Sequence, residues 1–246
     1  MPNNVLALKS QQRRWAKGSM ETAIKLIPHI LRSPRLNRVQ KLEAVLHLTH
    51  YMVSVFMCMV CVLTMPMLIW TPTPRIFWVL AIIWSLILVS ALAPCVMYTL
   101  SGRVFGRGLF SLTRFPAMLV VGTGLCLNNA KAVFDAIRGI RTEFVRTPKS
   151  GSAADDSRTI TYSISRSTWL GIIELLMGIY CWSTLYVYFG VGKYLFGFFL
   201  VAYALGFCSF GLLSVRPACI RRSTESVDEL DAIEVESSTP TAANAR

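Results

Sequence analysis

The sequence predicts an all-α polytopic membrane protein: about four transmembrane helices, an amphipathic interface helix, and a re-entrant or interfacial segment. Three observations predict this class. First, 54% of the 246 residues are hydrophobic and only 15% are charged, with a mean hydropathy of +0.51, which is too apolar for a soluble domain. Second, several apolar runs approach the ~20 residues a helix needs to cross the hydrocarbon core. Third, the bases gather between those runs, as they do in cytosolic loops. The formal net charge is +12, yet residues 223–246 hold six of the thirteen acids, leaving +17 on the rest. Because these bases flank apolar runs, topology explains them. Membrane lipid is therefore an expected partner and nucleic acid is not.

Residues 1–44 form a basic cytosolic segment and an interface helix. From Ser19 to Arg32, Met20, Ala23, Ile24, Ile27 and Leu31 recur at the spacing of one helix face, with Lys25 and Arg32 as basic counterparts. Such a helix lies in the headgroup plane; Pro28 is expected to bend it and Ser33-Pro34 to end it. Residues 45–98 read as a transmembrane hairpin, with spans at 45–70 and 76–98 joined by Thr71-Pro72-Thr73-Pro74. Residues 99–167 read as a cytosolic region. Were 109–127 a full span, the seven bases of 128–166 would lie outside, so this stretch is expected to re-enter or lie at the interface. A second hairpin covers 168–215, and 216–246 is expected to be a disordered cytosolic tail.

The polar, basic N-terminus has no apolar core and is not expected to be a cleavable signal peptide. Cys58-x-x-Cys61 has the spacing of half a metal or redox motif, but it lies mid-span with no second pair, so no metal site is expected. Glu174, about six residues inside the third expected span, reads equally as a channel-lining acid or as a packing contact.

Two stretches carry chemistry. In Gln11-Gln12-Arg13-Arg14-Trp15, an indole can stack on a sugar face and a guanidinium can pair with phosphate oxygens. Gln11 offers both a donor and an acceptor. The pattern Gln-x-x-Arg-Trp, on a basic segment just before the first span, resembles the acceptor-site signature of family-2 inverting glycosyltransferases, the cellulose-, glucomannan- and hyaluronan-synthase-like membrane proteins. Glu143 to Gly151 resembles the Phe-x-Val-Thr-x-Lys gating loop of the same enzymes. Phe144, Thr147 and Lys149 match by position, whereas Arg146 stands where the family has Val and adds a cation suited to a diphosphate.

The resemblance covers about residues 1–215 and implies sugar transfer from a nucleotide-sugar to a growing glycan at the cytosolic membrane face. Gln11, Arg14 and Trp15 would bind acceptor and donor, while Phe144, Thr147 and Lys149 would close over the nucleotide. The family's donor-binding GT-A domain, with its Asp-x-Asp-type motifs, Mg or Mn ion and general base, is expected to be absent from these residues. No catalytic residue and no bound cofactor are therefore expected in this chain, and alone it should be inactive. Its partners would be a nucleotide-sugar, a glycan acceptor and either an upstream or a separate catalytic chain. A non-catalytic subunit forming a glycan channel, or a small transporter or scaffold, are the other classes. Both termini are expected in the cytosol, with the chain in a plasma, inner or Golgi membrane.

Overall fold

Residues 5–17 contain neither Gly nor Pro and consist mostly of good helix formers. In the computed structural model, which describes residues 5–70, 82, 93–140, 164–192 and 199–216, they open a helix rather than an irregular lead-in. This helix, α1, runs from Val5 to Arg32 and passes through Pro28; at 1.5 Å per residue it is roughly 42 Å long. The interface helix thus begins well before Ser19, and the Gln11–Trp15 signature is itself helical. The helix stops one residue before Ser33-Pro34, with His29 and Arg32 in its last turn, where cations favour the carbonyl end.

Asn37 starts α2 (Arg38–Thr49) through a capping box: its side chain accepts from the Gln40 amide at 2.8 Å and Gln40 Oε1 accepts from the Asn37 amide at 3.0 Å. Helix α3 (Met52–Trp70) follows after a break at His50-Tyr51. The expected 45–70 span is therefore two pieces bent by 63°. Residues 93–104 form α4, and most of the expected 76–98 span lies outside the described residues. After Arg107 a 3-10 turn, Gly108–Arg114, leads into α5 (Phe115–Ile137) with Pro116 in its first turn, where a missing N–H costs nothing. The last two helices are α6 (Ile164–Gly190) and α7 (Phe199–Arg216).

Among the described residues, three segments are long and apolar enough to cross a membrane: Gly108–Ile137, Thr168–Gly190 and Phe199–Arg216; the bent α2–α3 pair is a fourth if taken as one span. Over 109–127, where a re-entrant or interfacial segment is expected, the backbone is helical as part of a run from Gly108 to Ile137. The glycines in it serve close packing. A Cβ on Gly206 of α7 would sit 2.2 Å from Thr123 Oγ1 and 2.7 Å from both Gly124 N and Val120 O. Thr123 Oγ1 donates to Ala202 O at 2.8 Å, so α5 and α7 meet backbone to backbone through small residues. Gly206→Ala is therefore expected to destabilise by about 1–3 kcal/mol, the usual cost of overpacking. Gly18→Ala, where a Cβ meets nothing within 4 Å, serves as the control in thermal unfolding.

The main core joins α3, α5, α6 and α7 around Cys61, Cys126, Cys181, Leu185, Tyr203 and Phe207. Cys61 Sγ lies 3.3 Å from Cys181 Sγ, and Cys58 Sγ lies 3.7 Å from Cys126 Sγ. These cysteines are free thiols that pack as small apolar residues. A second cluster of Val55, Ala130 and Val133 receives Met20 of α1, seating the N-terminal helix against α3 and α5.

Candidate functional site

Three cations on α1 fall on one stripe because they are four residues apart: Lys9, Arg13 and Lys17. In sequence they read as solvated charge. In the structure Lys9 and Lys17 are buried, and Arg13 is mostly covered. Lys9 Nζ donates to Glu174 Oε2 of α6 at 2.5 Å and to Ser214 Oγ of α7 at 2.6 Å. The Lys9 carbonyl accepts from Asn128 Nδ2 of α5 at 3.0 Å. One turn on, Arg13 Nη2 donates to Asp135 Oδ2 at 2.5 Å, and Lys131 pairs with the same carboxylate at 3.2 Å. A further turn on, Lys17 Nζ donates to the Ile140 carbonyl at 2.5 Å and faces Glu21 at 3.6 Å.

Burial pushes the Lys9 ammonium below the ordinary lysine range, while the charge and hydrogen bond of Glu174 work in the opposite sense. Glu174 itself is 0% exposed, and its Oε1 has no hydrogen-bond partner among the described residues. Of the two roles the sequence leaves open for Glu174, the structure supports the packing contact: its carboxylate anchors α1. The pair is tight because a buried charge left alone is costly. For Arg13 and Asp135, a double-mutant cycle with R13A and D135A is expected to give a coupling of about 1–3 kcal/mol in unfolding, the range for residues that share an ionic network.

With one face of α1 occupied by anchors, Gln11 and Trp15 fall on the other side of the helix and Arg14 on its flank. Gln11 and Trp15 are one turn apart, and Trp15 is 53% exposed. Of the signature residues Trp15 is exposed, while Gln11 and Arg14 are half-buried. Phe144, Thr147 and Lys149 lie outside the described residues. The chain that leads to them is held at Ile140, four residues before Phe144, by Lys17 of the signature helix.

Sequence reasoning missed Lys9, Arg13, Lys17, Asn128, Asp135 and Ser214 as a set. One signal was legible: Asp135 and Glu174 are acids beside or within long apolar stretches, and such residues seek a partner. Among the described residues there is no group of three His, Cys, Asp or Glu side chains arranged to hold a metal ion. The divalent cation implied by the resemblance therefore has no fitting ligand set on these helices. No protein-family description, curated protein or solved structure matches the chain.

Proposed function

We propose that the chain is the membrane and acceptor-side part of a family-2 inverting glycosyltransferase, working with a donor-binding portion upstream or on a separate chain. One observation carries the reading. The two stretches that resemble the family's motifs are 125 or more residues apart in sequence, yet the helix bearing the first is tied to the end of α5 and to Ile140, three residues before the second stretch begins at Glu143. Arg13–Asp135 and Lys17–Ile140 make that tie. A signature and a loop that act on one nucleotide-sugar need such a link.

The ends of α5 and α7 and the beginning of α6 meet α1 through Ile140, Ser214 and Glu174. This gathering supports placing α1, the 141–163 connection and the tail after Arg216 on one side of the membrane, the cytosolic side by their bases.

In this reading the acceptor hydroxyl oxygen forms a bond to the anomeric carbon with inversion, and the bond from that carbon to the diphosphate breaks. The nucleoside diphosphate leaves with the electron pair, and the hydroxyl proton passes to a carboxylate of the donor-binding portion. Trp15 stacks on the acceptor sugar, Gln11 fixes its orientation, and Arg14 pairs with diphosphate or sugar oxygens. Phe144, Thr147 and Lys149 close over the nucleotide. No step runs through a metal on this chain.

The exposed Trp15 also favours a second reading, in which the chain is a silent membrane subunit that docks a separate glycosyltransferase. Source membranes depleted of this chain, then resupplied with it, test the first reading against labelled nucleotide-sugars. Loss and recovery of polymer labelling are expected. Labelling that ignores depletion for every nucleotide-sugar sinks both readings, and labelling that is lost on depletion but restored as well by the W15A chain as by wild type selects the silent subunit.

A further inference from the structure

At the start of α5, roughly 30 Å along the helix from Asp135 at 1.5 Å per residue, is an open cleft of about 760 Å3 that the sugar-transfer reading does not use. Its walls include Tyr98, Phe105, Phe110 and Met118, and two guanidiniums, Arg107 and Arg114, line the same space. The apolar walls are bare: Phe105 is 76% and Phe110 72% exposed, a degree of exposure that water penalises and lipid does not. Among the described residues the cations have no ion-pair partner. From residue 44 to residue 134 the sequence has no Asp or Glu. Both arginines bracket the entry to a membrane-length segment, the level at which guanidiniums meet headgroups.

An anion carrying apolar chains complements this arrangement at both ends. We propose that the cleft binds an anionic phospholipid, its phosphate held between Arg107 and Arg114 and its acyl chains lying along Tyr98, Phe105, Phe110 and Met118. Guanidinium is suited to the phosphate because its planar fork donates in pairs. The inference stands apart from the sugar-transfer reading and needs none of its residues.

The full chain in detergent is titrated with phosphatidylglycerol or with phosphatidylcholine of the same acyl chains, and bound lipid is counted by native mass spectrometry. Phosphatidylglycerol is expected to bind preferentially. R107Q/R114Q is expected to weaken it roughly 30-fold, about fivefold per cation near the headgroup plane. R103Q removes one charge of the same loop outside the cleft and is expected to leave binding intact, where R107Q alone should cost about fivefold. Met118→Trp fills the apolar wall without touching charge and is expected to lower binding, which keeps the test decisive if the double variant does not fold. Equal binding of both lipids, equal losses in R103Q and R107Q, or full binding in Met118→Trp overturns the proposal. So does competition by glycerol phosphate at the concentration of the lipid, which would mark a site for free phosphate.

Discussion

On the proposed sugar-transfer reading, Trp15→Ala is expected to lower incorporation of labelled sugar into polymer by roughly a hundredfold or more, the scale of loss when a positioning contact is removed from a reacting pair. The assay uses source membranes depleted of the native chain and resupplied with the variant. The protein's abundance and unfolding midpoint should hardly move. The indole is 53% exposed and points away from the anchored face of α1, and substitutions at such positions usually stay within about 0.5 kcal/mol. This separation of activity from stability distinguishes an acceptor platform from an interfacial anchor. Polymer formation within twofold of wild type in W15A, with normal expression, would remove the acceptor role from the signature.

The second large effect falls on stability. Glu174→Leu leaves the Lys9 ammonium buried beside Ser214 with no carboxylate, and the expected loss is about 3–5 kcal/mol. Lys9→Met in the same chain should recover most of that loss, since replacing both members of a buried pair with apolar groups is often neutral. Detergent-phase thermal unfolding of E174L, K9M and the double variant reads this directly. A double variant no more stable than E174L alone would mean that the packing volume of the Glu174 side chain, and not its charge, holds α1 in place.

The parts of this fold legible in the sequence are those that the bilayer dictates locally. The hairpin from 168 to 215 is read from two apolar runs bracketed by Arg166 and Arg216, with Lys193 near the turn, and α6 and α7 occupy it. The second half of α1 is legible because Met20, Ala23 and Ile27 keep helical spacing. The first half is not, because Lys9, Arg13 and Lys17 look like solvated charges until their partners are known. Those partners lie 165, 122 and 123 residues away, and no local pattern encodes such a distance. The 63° bend between α2 and α3 was equally hidden, since His50-Tyr51 contains no Gly or Pro to announce it. Gln11, Arg14 and Trp15 were picked out as a motif, but that Trp15 stands on the unanchored side of α1 follows only from what covers the opposite side.

The distance from Lys9 to Glu174 also sets a timetable. At about 5–20 residues per second, a ribosome needs roughly ten to thirty seconds to synthesise the 165 residues between them. Ser214 emerges later still. Throughout that interval Lys9 has neither its carboxylate nor its hydroxyl, so α1 must wait as a cationic helix at the membrane surface. Its final seating reports that α6 and α7 have both arrived, which makes the earliest made of these seven helices the last to be locked.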